Sequence, residues 1–393
     1  MTTGEFIPLR SIVALSVGAC GSAAALRVCD PLLPYLATEY GVGLGAAAQT
    51  VTGFAVAYGV LQLAYGPIGD RYGKYRVVTL ATIASALTSL ACALAPTLPA
   101  LVIARMFAGA TAGALIPLSL AWIGDTVPYE RRQPVLARFL IGQMFGVALG
   151  QVLGGVGADY LGAGPVFVVL SVWFTATAWL MWRFRPSRPE TLQRAPGSIA
   201  KRFVSVLEVP WSRVVLLTVF AEGVLLVGAL AFVPTHLHRA YGLPLTAAGS
   251  VVMLFAVGGF VYATVSPMLV RRLGEPGLAT GGGIVLALCF AGIALGSMPL
   301  IAVAACPMAG LGFYMLHNTL QVNATQMAPA QRGSSLALFA CVLFVGHAVG
   351  VTLAGLLAER FGTAPVIAGA GALLLAVGLT FAAARRRNPD CIV

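Results

Sequence analysis

Charge is what this sequence has least of. Only 9% of its 393 residues are Asp, Glu, Lys or Arg, against roughly 25% in an ordinary soluble domain. A chain this long cannot clothe a water-facing surface with so few charges. That excludes a soluble enzyme, a disordered chain and a nucleic-acid binder. Paired cysteines are also missing. Cys20, Cys29, Cys92, Cys289, Cys306, Cys341 and Cys391 form no CxxC and no Cys/His cluster, so neither a disulfide framework nor a metal site is expected. Most lie inside apolar runs, where a thiol is a small hydrophobe. No G-x-x-x-x-G-K-[ST], H-E-x-x-H or G-x-S-x-G occurs. ATP-driven pumping and the common hydrolytic chemistries therefore have no motif to rest on, and no cofactor is expected.

What is present is hydrocarbon: 59% of the chain is apolar, with a mean hydropathy of +0.91. Apolar stretches near the length of a spanning helix recur from end to end. They predict an all-α membrane protein with twelve transmembrane helices, at about 11–36, 45–68, 76–95, 98–123, 133–158, 163–182, 213–237, 246–270, 277–296, 299–324, 334–358 and 363–384. The longest polar gap follows the sixth span. It holds Arg183, Arg185, Arg188, Arg194, Lys201 and Arg202, with Pro186, Pro189 and Pro196. It reads as a linker, 183–212, between a six-helix bundle at 1–182 and another at 213–393. Val17-Gly18-Ala19-Cys20 resembles a lipoprotein cleavage box, but the residues before it are barely basic, so the first helix is expected to be retained.

The net charge of +11 sits in short clusters between spans. With the N-terminus in the cytoplasm, nineteen Lys and Arg fall in inside segments and two, Arg239 and Arg360, in outside ones. This asymmetry predicts that both termini are cytoplasmic, in a membrane of the bacterial cytoplasmic type. The halves also repeat. A shift of 201 places Tyr40-Gly41 on Tyr241-Gly242, Phe54-Ala55-Val56 on Phe255-Ala256-Val257, Arg71 and Gly73 on Arg272 and Gly274, and Pro128 and Arg131 on Pro329 and Arg332. A shift of 200 places Gly146, Gly150 and Gly155 on Gly346, Gly350 and Gly355. Two parallel repeats of six spans enclosing a midplane site are a transporter architecture.

Between spans two and three stands Gly66-Pro-Ile-Gly-Asp70-Arg71-Tyr-Gly73-Lys74-Tyr-Arg76. It resembles the G-x-x-x-D-R-x-G-[RK]-x-[RK] signature of the major facilitator superfamily, and the twelve-span layout extends that likeness over essentially the whole chain. Arg105, Gly109 and Gly113 resemble the family's R-x-x-x-G-x-x-x-G pattern. Gly146-x-x-x-Gly150-Gln151-x-x-Gly154-Gly155 is similar to the antiporter-associated G-x-x-x-G-P-x-x-G-G, with Gln151 where Pro is expected and Ala137 where a further Gly is. In the second half Arg271 replaces the signature's Asp. The resemblance implies a drug:proton antiporter-like fold with two six-helix parallel repeats. It implies that Asp70, Arg71 and Asp125 form a latch joining the halves when the protein opens outward, with Gly66, Gly73 and Lys74 in the same loop. Asp70 also suits the positive N-terminal end of the eleventh span.

Ionisable groups inside spans are functional candidates. Arg27 and Asp30, spaced i,i+3, share a face of the first span. Counting 1.5 Å per residue, Arg27 lies about 24 Å from the cytoplasmic side and Arg105 about 10 Å from the outside. A cluster of Arg27, Asp30 and Arg105 is therefore expected, with Asp30 as proton carrier, a structural ion pair as the plainer reading, and an anion held by the surplus guanidinium as a third. Glu222 falls near the midplane of the seventh span with no Arg partner in its own helix, which suits a protonatable or substrate-facing group. His317, Asn318 and Gln321 share a face of the tenth span, and His347 sits in the eleventh. Gln143 and Gln151 share a face of the fifth. Tyr58, Trp122, Phe139, Phe255, Tyr262 and Tyr314 are candidate cavity aromatics, while His236 and His238 read as loop residues. The sum is a proton-coupled transporter, expected as a monomer in the bilayer, that moves a small organic molecule. Export of an anion or zwitterion is the first expectation, and uptake of an organic anion or sugar by symport the second. A non-transporting receptor would lose the cavity charges and the loop signature.

Overall fold

The computed structural model describes residues 8–186 and 198–388. The first crossing is α1 (Leu9–Arg27) with α2 (Leu33–Glu39), followed by α3 (Leu44–Tyr72) and α4 (Lys74–Ala93). Next come α5 (Leu98–Ala112) with α6 (Leu115–Thr126), α7 (Tyr129–Val156) with a π-helical turn (Gly157–Leu161), and α8 (Ala163–Arg183). A short helix, α9 (Ile199–Glu208), precedes α10 (Pro210–Leu230) with α11 (Val233–Tyr241), then α12 (Leu245–Met253) and α13 (Phe255–Leu295). The chain closes with α14 (Pro299–Gln326), α15 (Arg332–Phe361) and α16 (Thr363–Arg387).

Eleven helical stretches among the described residues are long and apolar enough to cross a membrane. One of them, Leu245–Leu295, has 51 residues. As a straight helix it would run about 76 Å, more than twice a hydrocarbon core of about 30 Å. It doubles back at Gly274, whose φ of +61° admits only glycine without strain. The stretch is thus two crossings, and the total is the expected twelve. The architecture is the all-α, two-repeat fold that the sequence predicts.

The repeat is written into the backbone. Among the described residues six glycines have positive φ, and they form three pairs: Gly41 with Gly242, Gly73 with Gly274, and Gly162 with Gly362. The first and seventh crossings break at matching places. Asp30-Pro31 ends the run of α1, because the residue before proline is disfavoured in the α region. α2 and α11 restart with Pro34 and Pro234 in the first turn, where a missing N–H is harmless. Such interruptions persist in lipid only where protein surrounds them, and Val28, Cys29, Leu32, Ala231 and Phe232 are fully buried.

Glycine also sets how closely the helices approach. A Cβ on Gly146, Gly150 or Gly154 of α7 would strike the carbonyl oxygens of Cys20, Ala24 and Val28. Gly346 and Gly350 of α15 meet the carbonyls of Phe220 and Val224 in α10 in the same way. With little hydrophobic force between helices in lipid, such backbone contact supplies the packing energy.

The first and last described residues, Pro8 and Asn388, lie on one face, called here the terminal face; the opposite one is the distal face. At the distal face the first six crossings touch the last six: α3 runs along α15, and the end of α7 meets the start of α12. At the terminal face a cavity of about 240 Å³ lies between Gly66 and Asp70 on one side and Arg332 and Gly333 on the other. Arg188 and Arg194 of the expected linker lie outside the described residues. The rest of that stretch is not loop alone: α9 buries Val206 completely and packs against α10 and α15. Its apolar residues recur at helical spacing between basic ones, a pattern masked by the stretch's overall polarity. His236 and His238 are helical rather than loop residues. His236 is buried, bonded to Thr363 Oγ1 at 2.9 Å and the Ile293 carbonyl at 3.1 Å.

Gly109→Ala drives a Cβ into the Phe54 carbonyl, whereas Gly124→Ala meets nothing within 4 Å. The first is expected to destabilise the protein by about 1–3 kcal/mol and lower its melting midpoint in detergent. The second should leave the midpoint unchanged or slightly raised.

Candidate functional site

Midway between the faces lies a cavity of about 90 Å³, walled by both sets of six crossings. Arg27, Met144, Val147 and Gln151 come from the first; Leu230, Val252, Phe255, Ala256, Phe313 and Tyr314 come from the second. Among the described residues Arg27 is its one charged lining residue. The guanidinium projects from the last turn of α1, just before the chain breaks at Asp30-Pro31.

Behind Arg27 stands Asp30, with no solvent exposure. Its Oδ2 is 3.7 Å from Arg27 Nη1 and accepts a hydrogen bond from Gln151 Nε2 at 3.0 Å. Its Oδ1 has no hydrogen-bond partner among the described residues. The i,i+3 spacing thus brings Arg27 and Asp30 together, across the break as well as along the helix. Gln151, which stands where the antiporter-associated pattern has Pro, closes the group from α7.

Arg105 does not join that carboxylate. Depth arithmetic places it at the right level, and it is 1% exposed, but its donors go elsewhere. Nη1 donates to the Ala25 carbonyl at 2.9 Å and Nε to the Thr50 carbonyl at 3.2 Å, with the guanidinium 4.1 Å from the centre of the Phe54 ring. The break after α1 leaves carbonyls of its last turn without helical partners, and Arg105 satisfies one of them. Arg27 is thus the arginine paired with Asp30, while Arg105, near enough for its charge to act on that carboxyl, bonds instead to backbone carbonyls and clamps α5 to α1 and α3.

On α10, two helical turns before the lining residue Leu230, Glu222 is also fully buried. His317 Nδ1 lies 2.9 Å from Glu222 Oε2, and Oε1 has no partner among the described residues. The histidine comes from α14, so nothing along α10 alone points to it. His317 stacks on Phe313, a lining residue, with ring centres 4.8 Å apart. His347 is buried beside Phe344 and Gly223. Asn318 lies near Tyr262 and Gln321 is exposed, and none of His317, Asn318 and Gln321 lines the cavity. Gln143 is half-buried and does not line the cavity, whereas Gln151 does. Of the candidate aromatics Phe255 and Tyr314 line it; Tyr58, Trp122 and Phe139 are packed inside the bundle.

At the terminal face Lys74 bridges Asp70, at 3.2 Å, and Asp125. Arg71 lies over the Tyr72 ring and Gly66 faces open space. Gly73, at φ +94°, makes the turn between α3 and α4. The matching corner of the second half is built differently. Glu275, one residue after Gly274, pairs with Arg385 Nε at 2.8 Å and accepts from Asn323 Nδ2 at 3.1 Å. Glu275 is not among the residues the sequence singles out, although the 201-residue shift lays it on Lys74. Among the described residues no group of His, Cys, Asp and Glu could hold a metal ion.

Comparison with known proteins agrees with this geometry. The Major Facilitator Superfamily profile matches residues 15–351. The inner membrane transport protein YajR of Escherichia coli is 26% identical over 370 residues, covering 91% of this chain and 80% of that protein. The multidrug export protein EmrB of Haemophilus influenzae is 26% identical over 184 residues, covering 47% of this chain and 36% of that one. The crystal structure of a mutant of the nucleoside transporter NupG superposes with a TM-score of 0.78 at 14% identity, covering 97% of this chain and 99% of that one. The chain belongs to the Major Facilitator Superfamily, as a multi-pass membrane transporter and not an enzyme.

Proposed function

We propose that the protein exports a small amphipathic zwitterion in exchange for protons, by rocking its two halves about the central cavity. The observation that carries this reading is a central cavity with two fully buried carboxyls near it: Asp30 directly behind the lining residues Arg27 and Gln151, and Glu222 reached through His317, which stacks on the lining Phe313. Each carboxyl has one bonded oxygen and, among the described residues, one without a partner. A carrier needs such an oxygen, because it can take a proton without first breaking a bond.

The sign of the substrate decides the sense of coupling. A cationic group entering the cavity competes with protons for the negative charge of Asp30 and Glu222, and competition between two ligands gives antiport. A purely anionic group does the reverse. It needs Arg27, which Asp30 releases when protonated, so anion and proton bind together and travel together. A zwitterion satisfies both ends: its anion meets the guanidinium, which suits carboxylate and phosphate, and its cation displaces the protons. The aromatic and aliphatic walls take an apolar body. EmrB, by its name an exporter, lends support to the outward direction. The Arg27–Asp30 pair supports symport of a plain anion as the second reading.

In this reading the terminal face is cytoplasmic and the molecule stands open toward it, through the cleft beside Asp70 and Arg332. Closing that cleft brings Asp70 toward the N-terminal end of α15, where a carboxylate is favoured; Lys74 and Asp125 hold the loop for that encounter. The chain works as a monomer with one cavity.

Proteoliposomes with an imposed pH gradient test the proposal, screened over zwitterionic, cationic and anionic amphiphiles. A zwitterion should accumulate against its gradient while protons move the other way. Movement of a plain anion alongside the proton establishes the second reading, and indifference to the gradient overturns both. Asp30→Asn is expected to abolish proton-driven accumulation while substrate exchange persists; full driven accumulation would remove Asp30 from the carrier role. Asp70→Asn should slow turnover with substrate affinity unchanged, measured as initial rate against equilibrium binding.

A further inference from the structure

At the distal face each half gives the other a carboxylate. Asp159 stands in the π-helical turn that closes α7. Its Oδ1 accepts the N–H of Leu245 at 3.0 Å and its Oδ2 that of Thr246 at 2.7 Å. These are the first two residues of α12. Glu359, near the end of α15, accepts the N–H of Gly45 at 2.6 Å, the second residue of α3. The opening N–H groups of a helix have no partner within it, and the positive end of its dipole favours a carboxylate. Neither helix caps itself: Gly43 and Pro244, at the cap positions, contribute no side-chain hydrogen bond. Among the described residues neither carboxylate pairs with a Lys or Arg.

The two contacts are one design used twice. Asp159 and Glu359 are 200 residues apart, the spacing that relates the glycines of α7 to those of α15. One helical turn before each stands a glycine at the same joint. Gly155 lies against the backbone of Leu245 and Thr246, and Gly355 against the Cα of Gly45. The glycine lets the backbones meet and the carboxylate then reaches the exposed amides. Both contacts cross between the halves, so neither survives a rocking motion that opens the distal face.

We propose that Asp159 and Glu359 form a two-point latch that holds the distal face shut and sets how readily the site opens to that side. The proposal rests on the alternating-access reading above, but its test needs neither substrate nor protons. They are positioning residues, since neither touches the cavity.

The test measures distances between spin labels on Thr38 and Ala240, both exposed at the distal ends of the first and seventh crossings. Each is replaced by cysteine in full-length protein whose native cysteines are replaced, and read by double electron–electron resonance. Asp159→Ala and Glu359→Ala should each raise the ratio of distal-open to distal-closed molecules about tenfold, the effect expected of losing a charge-assisted hydrogen bond, and the pair together about a hundredfold. Asp159→Asn and Glu359→Gln, which keep shape and one acceptor, should fall between. Asp159→Glu should restore most of the closed population, which a general loss of stability would not allow. A folded double variant with an unchanged distance distribution overturns the latch. If the alanine variants do not fold, Asp159→Asn combined with Glu359→Gln decides the matter: an unchanged distribution there also overturns the latch. A shifted distribution with proton coupling absent would keep the latch and refute only the proposed coupling.

Discussion

Hydrocarbon offers no hydrogen-bond partner, and that single constraint governs where the polar atoms of this chain stand. Arg105 holds two backbone carbonyls, one of them left bare by the broken first helix. His236 is tied at both ring nitrogens. Trp211, Asn323, Glu275 and Arg385 form a chain of contacts at the terminal face. Some buried polar atoms still lack a partner among the described residues, Arg105 Nη2 and Gln151 Oε1 among them, and of these atoms only the free oxygens of Asp30 and Glu222 belong to carboxyls, which can take up a proton. A lone oxygen in the interior is costly where it is merely structural. It has a use where a proton comes and goes.

The helices that carry these groups are spaced by glycine rather than by large side chains. α7 against α1 and α15 against α10 meet backbone to backbone, and these pairs behave as stiff units within each half. Between the halves glycine also brings backbones together, at Gly155, Gly249 and Gly355, and these contacts give way to a cleft at the terminal face. Stiff units joined at one end suit a rocking motion, and the proposed substrate site is the cavity between them.

Much of this was legible in the residues. Hydropathy located the crossings within a few positions, and the 201-residue shift anticipated the paired turns at Gly73 and Gly274. The Arg27–Asp30 contact followed from helical spacing, since both partners lie on one short segment. What spacing cannot supply is the partner across a helix boundary. Glu222 looked solitary because His317 is 95 residues away. Arg105 looked like a partner for Asp30 because depth was available and direction was not; its donors were drawn instead to carbonyls that exist only because the helix breaks. Asp159 and Glu359 carry no local mark that sets them apart from any loop carboxylate. Their signal lies in the repeat, since the shift that aligns their neighbouring glycines aligns them as well.

The paired latch has a bearing on ancestry. A six-helix chain that associated with a second copy of itself about a two-fold axis would need only one acidic residue and one bare helix start to make both joints. Fusing two such copies end to end preserves the joints and frees each side to drift. The drift is visible: aspartate on one side and glutamate on the other, lysine at position 74 where its counterpart is glutamate. The two joints keep one geometry although the side chains at corresponding positions differ, so the symmetry of the backbone leaves the two halves free to present unlike chemistry to whatever lies between them.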